Sequence, residues 1–153
     1  MKILVTFYSK NGHTKVIGNK IARQLNADIE EITDLKDRSK IFTWAKSAFD
    51  EELRTATTIK KPEKDPAKYD IVIIGTPIWD GITPAVKKYL QENKNKLKKI
   101  AFFSTFGASA EDAFYQMEKI SGKKPIATLE IQDVQIMRKE DAPLIEEFCR
   151  KIK

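Results

Sequence analysis

Two short polar runs carry most of the chemistry this sequence could do. The first is Ser9-Lys10-Asn11-Gly12-His13-Thr14, which follows an apolar stretch and opens a helical pattern. A strand-to-helix turn aims several backbone N–H groups at one spot, and the helix dipole favours negative charge there. Ser9, Asn11 and Thr14 add side-chain donors, and Gly12 permits a tight turn. The run reads as a phosphate cradle. Its plain alternative is a capped turn, for which Ser, Asn, Gly and Thr are ordinary residues. It is neither GxxxxGK[ST] nor GxGxxG, so a nucleoside-triphosphatase loop and a dinucleotide fingerprint are both excluded.

The second run is Thr76-Pro77-Ile78-Trp79-Asp80-Gly81, directly after the most apolar stretch in the middle of the chain. An indole face stacks well on a flat ring and keeps water off it. The alternative is a core tryptophan beside a sheet end. The place of Trp79 between Pro77 and Gly81, just past a strand, favours the stacking plate. Phosphate donors at one end and an aromatic plate at the other fit a mononucleotide with a flat ring, and FMN is the leading candidate.

Other reactive side chains are sparse. His13 is the single histidine, inside the first run, where it either bonds the phosphate or faces water. No carboxylate or nucleophile is paired with it by sequence, so no catalytic residue is assigned. Cys149 is the single cysteine. It offers no disulfide and no metal cluster, and reads as a small buried hydrophobe. No Ser-His-Asp order, zinc spacing or carboxylate pair stands out, and no metal is expected.

The elements that must position these runs alternate between strand and helix. Residues 2–8 form an apolar, partly β-branched strand, and Val16, Ile17, Ile21 and Leu25 recur at helical spacing. Asp28 to Thr33 is a shorter, more polar strand. Ile41, Ala45, Ala48, Phe49 and Leu53 mark a second helix, with Trp44 off its apolar stripe and left out of the site. Pro62 and Pro66 lie in a charged surface connection over 54–68. Asp70 to Gly75 is the strongest strand signal. Pro84 opens a third helix with Val86 and Leu90 inward. Ile100 to Thr105 is a fourth strand, followed by a helix with Phe114, Met117 and Ile120 on one face. Ile126 to Ile131 is a fifth strand. A last helix after Glu140-Asp141 carries Leu144, Ile145, Phe148 and Ile152. Such alternation implies an α/β fold with a parallel sheet covered on both faces. Ligands then bind beyond the carboxyl ends of the strands, where both runs emerge.

The runs in this order resemble a known family. SKNGHT is similar to the flavodoxin phosphate signature, Thr/Ser-x-Thr/Asn-Gly-x-Thr. IVIIGTPIWDGITPAV resembles the second flavin loop of short flavodoxins, and Phe103-Ser104-Thr105-Phe106-Gly107-Ala108 resembles the third. The element order of essentially the whole chain follows the same family. The resemblance implies one domain over 1–153, a flavodoxin-like doubly wound five-stranded parallel sheet of order 2-1-3-4-5, and bound FMN. Its cofactor-binding set would be Ser9, Lys10, Asn11, Gly12, His13 and Thr14; Thr76, Pro77, Ile78, Trp79, Asp80 and Gly81; and Ser104, Thr105, Phe106 and Gly107.

Two departures accompany it. In the family a backbone group of the second loop meets the flavin N5, and a peptide there can rotate on reduction. Here Asp80 takes the place of the usual small residue, and Gly81 follows. A carboxylate near the ring would disfavour an anionic reduced flavin; the alternative is that Asp80 points to solvent. The third loop lacks the family's tyrosine, so either Phe106 shields the second flavin face or that face is open.

The function implied is FMN-dependent electron transfer, from a reductase or a ferredoxin-like donor to an unknown acceptor. The alternative is an NAD(P)H:quinone or related oxidoreductase, which the missing tyrosine and the basic charge favour. A flavin-free binding module comes third, and the phosphate run and Trp79 argue against it. The chain has 28 Lys and Arg against 22 Asp and Glu, a net charge of +6. That excess is either a solvated surface or an attraction for acidic partners. Familiar flavodoxins are acidic, so Asp80, Glu111 and Asp112 are candidates for a local acidic rim. No nucleic-acid motif appears. No apolar run approaches ~20 residues, and Met1 to Phe7 lacks the features of a secretory signal, so membrane insertion is not expected and a cytoplasmic location is. Oligomeric state is open.

Overall fold

Strand β1 (Ile3–Phe7) is buried at every residue, so it must lie inside the sheet and carry apolar side chains on both faces. The computed structural model describes residues 1–36 and 57–153 and places β1 between β2 (Asp28–Glu31) and β3 (Ile71–Pro77). Strands β4 (Lys99–Phe106) and β5 (Thr128–Gln132) continue on the other side. All pairs are parallel, and the order is β2-β1-β3-β4-β5, the doubly wound order expected from the sequence.

Strand alternation splits the core into two halves. Ile3, Val5, Phe7, Ile73 and Phe103 pack under α1 (His13–Leu25) and the C-terminal helix (Ala142–Ile152). Leu4, Val72, Ile74, Ile100 and Phe102 pack under α2 (Pro84–Asn93) and α3 (Ala113–Ser121). A short helix, α4 (Asp133–Met137), follows β5 directly, and the C-terminal helix is therefore α5. The sequence pattern does not predict α4. Its five residues are too few to show helical periodicity, and its start is held by a reciprocal cap between Gln132 and Gln135.

Three sequence expectations shift in detail. Val16 is exposed rather than part of the buried stripe, because α1 presents Ile17, Ile21 and Leu25 to the sheet. Ile126 lies ahead of β5 and is also exposed. Thr76, Pro77 and Phe106 belong to strands, since β3 runs on past Gly75 to Pro77 and β4 past Thr105 to Phe106. The helix expected over 41–53, with Trp44, lies outside the described residues. Among the described residues no helix is long and apolar enough to cross a membrane.

Candidate cofactor site

The first run turns the chain from β1 into α1. Gly12 sits at the helix N-cap with φ 91°, a left-handed conformation that only glycine adopts without strain. Ser9 Oγ accepts hydrogen bonds from the Gly12 N–H at 3.2 Å and the Lys15 N–H at 3.3 Å. The Ser9 hydroxyl proton is thereby left to donate outward. The N-cap residue itself, Gly12, has no side chain to cap α1, and the first turn holds no acidic residue. Helix geometry leaves the first N–H groups, those of His13 and Thr14, without intrahelical acceptors. The turn is thus shaped from within and open to an anion, as the cradle reading requires.

Two contacts tie this turn to the rest of the sheet edge. Thr14 Oγ1 and Thr105 Oγ1 are hydrogen-bonded at 2.8 Å, both buried. His13 Nδ1 lies 3.1 Å from Asp133 Oδ1, with both side chains about one-third exposed. Asp133 begins α4, immediately beyond the carboxyl end of β5. Gln132 Nε2 donates to the Gly107 carbonyl at 2.9 Å and holds the third loop beside it.

The second run is built differently. Thr76 is buried, and its hydroxyl bonds the Pro77 carbonyl and Thr83 Oγ1 at 2.8 and 3.2 Å. Ile78 pairs with Ile82 across the turn, and the Trp79 N–H donates to the Gly81 carbonyl at 3.2 Å. Gly81 has φ 89°, so the turn requires glycine there. A side chain at position 81 would meet Gln116 Oε1 at 3.2 Å, and Gln116 in turn donates to Asp112 Oδ1 at 2.6 Å. The Trp79 ring receives Tyr8 edge-on at 5.7 Å and lies under the Lys10 ammonium at 5.2 Å.

Lys10, Asn11, His13, Thr14, Pro77, Ile78, Trp79, Thr105, Phe106 and Gly107 meet around one cleft, with Asp133 as a further wall. All three runs singled out in the sequence thus contribute to it. Ser9, Gly12 and Gly81 shape the turns without lining it, and Asp80 stands exposed at the tip of its loop. Thr76 and Ser104 do not reach the cleft wall; both are 0 % exposed within the packed sheet end. Asp133, Tyr8 and Gln116 escaped the sequence reading. The place of Asp133 just past a predicted strand at the same sheet edge marks it as a residue near the site, though not as the partner of His13.

The cleft measures about 70 Å³, well below the ~300–1,000 Å³ of a formed cofactor pocket. It suits the phosphate end of a mononucleotide, whereas a ring against Trp79 would have to part the second and third loops or lie in the open. Larger hollows of about 280 and 560 Å³ occur beside Thr6, Glu30 and Tyr89 and beside Pro62 to Pro66, and they share no residue with the cleft. The donor chemistry and the aromatic plate converge only on the smaller one.

A parallel sheet of this order, with a glycine turn into a helix at the end of β1 and a half-buried indole at the end of β3, defines the doubly wound α/β class, whose ligands bind beyond the carboxyl ends of the strands. A family model described as Flavodoxin matches residues 2–139, and the chain belongs to that family. Its fold is shared by a flavoprotein from Lactobacillus acidophilus solved in complex with FMN, at 22% identity and a TM-score of 0.69 over 90% of this chain and 97% of that one. The apo-form of the flavoprotein from the same organism gives 21% identity and a TM-score of 0.62, covering 90% and 95%. Two-electron reduced flavodoxin from Megasphaera elsdenii gives 17% and 0.61, covering 97% and 96%. Comparison with curated protein sequences gives no match.

Proposed function

We propose that this chain binds FMN at the cleft and acts as a one-domain electron carrier. The observation that carries the reading is the convergence of the start of α1 and the Trp79 ring on a single cleft at the carboxyl ends of the strands. The N–H groups of His13 and Thr14, with Ser9 and Asn11, would hold the phosphate. Trp79 would stack on the ring, and Phe106 forms part of the facing wall. When bound, FMN supplies the redox chemistry. The protein supplies position, dryness and local charge.

Electrons would pass to and from protein partners, a reductase or ferredoxin-like donor and an acceptor, in a cytoplasmic setting. Asp80 and Asp112 are both exposed, and Asp112 reaches the second loop through Gln116. These carboxylates support an acidic patch beside the cleft of an otherwise basic chain.

Purified protein should be yellow, and its released cofactor should be FMN. Colourless protein that takes up no FMN would refute the reading. Anaerobic NADH or NADPH should leave the bound flavin oxidised. Prompt bleaching would assign the oxidoreductase activity instead.

A further inference from the structure

The His13–Asp133 pair is the feature the FMN reading leaves unused. It puts a carboxylate in the wall of a cleft whose other residues would receive a phosphate. A phosphate monoester carries close to two negative charges at neutral pH, so Asp133 taken alone opposes it. Histidine has two ring nitrogens, and the bond made by one dictates the state of the other. In neutral His13, Nδ1–H donates to Asp133, and Nε2 is left a bare acceptor that cannot bond a phosphate oxygen. Protonation makes Nε2 a donor as well and cancels the Asp133 charge. The pair therefore has one state that accepts the phosphate and one that opposes it.

Resting on FMN as the ligand, we infer that His13 is a phosphate-specificity residue and Asp133 its positioning residue, and that FMN binding takes up one proton at His13. Histidine is the side chain whose ordinary titration falls between about pH 5 and 8, and His13 is the only one in the chain. Other charged groups lie on the elements that meet at the cleft or beside it. From the first loop and α1 these are Lys10, over the Trp79 ring, and Lys15, paired with Glu31 of β2 at 2.8 Å. Deeper on α1, Lys20 pairs with Asp141 at 2.5 Å. From the second loop there is Asp80, and beyond α4 Arg138 and Lys139. A single linked proton weakens binding up to about tenfold per pH unit once the histidine deprotonates.

The test is titration of the full-length apoprotein with FMN and with riboflavin, which lacks the phosphate, at several values from pH 7 to 9. This range lies above the phosphate's own second ionisation near pH 6. The wild type should lose FMN affinity up to about tenfold per unit, while riboflavin binding stays flat. His13→Lys, with a permanent charge, should bind FMN with no slope. Asp133→Asn should regain FMN affinity at pH 9. An FMN slope shared by riboflavin, or retained in His13→Lys, would overturn the inference. Failure of the wild type to bind FMN at every pH would instead refute the ligand assignment, so the two failures are distinguishable.

Discussion

The first and second loops leave the same sheet edge but are secured in opposite ways. Around the first loop, the bonds run outward to other elements: Thr14 to Thr105 on β4 and His13 to Asp133 on α4. In the second loop they are mostly local, apart from the Ile78 N–H, which donates to the Thr105 carbonyl of β4 at 3.0 Å. Thr76 bonds Thr83, Ile78 pairs with Ile82, and Trp79 bonds Gly81, all within one turn. The first arrangement is preformed, because moving it would break a buried contact and a partly exposed ion pair to distant elements. Beyond its anchor at Ile78, the second can shift while keeping its internal bonds, giving up only ring contacts to Tyr8 and Lys10. The lesson is a division of labour, in which a fixed grip holds the phosphate and an adjustable plate meets the ring.

This contrast can be broken at several points. The largest effect should come from the ligand. Riboflavin should bind ~3–6 kcal/mol more weakly than FMN near pH 7, since a charge-assisted bond from each of the His13 and Thr14 amides contributes ~1.5–3 kcal/mol. Calorimetric titration measures the difference, and near-equal affinities would remove the preformed grip. Next is Thr105→Val, which strips the buried Thr14 hydroxyl of its partner. It should lower stability by ~1–3 kcal/mol in denaturant titration and weaken FMN more than riboflavin. Gly81→Ala forces a side chain into a left-handed backbone against Gln116. A cost of ~1–2 kcal/mol is expected, confined to the second loop, so FMN and riboflavin should weaken alike.

The smallest effect is a null that serves as a scaffold control. Cys149 is buried on the core-facing side of α5, and burial pushes its thiol up to about 11. At pH 8 it should resist a thiol reagent equally with and without FMN. Because the fold favours the neutral thiol, its contribution to stability is intact below the ordinary thiol range and is lost as pH rises toward 11. Rapid labelling of apoprotein alone would mean that the whole scaffold loosens without cofactor, not the second loop by itself.

How much of this was legible in the sequence follows from what each feature depends on. β1, β3 and β4 are buried on both faces, so they read as continuous apolar runs and gave their places away. The turns after them carried glycines at Gly12 and Gly81, where the backbone does require positive φ. Strand order followed from alternation of strand and helix together with the family pattern. Asp133 and Gln116 were not legible as partners, because each meets its target only through folding. The residue separations, 13 to 133 and 81 to 116, leave no local trace. The limits of β3 and β4 were misjudged for a related reason. Thr76 looks like a turn residue, yet it faces Ser104 in the ladder and is fully buried.

The division of labour is tested most directly by titrating FMN and riboflavin into Trp79→Ala and Gly12→Val at one pH. Trp79→Ala should weaken both ligands by the same ~1–3 kcal/mol, because each presents the same ring to the indole. Gly12→Val should weaken FMN alone, because strain at the start of α1 disturbs only the phosphate donors. Equal losses of both ligands in Gly12→Val, or unchanged binding of both in Trp79→Ala, would contradict the account.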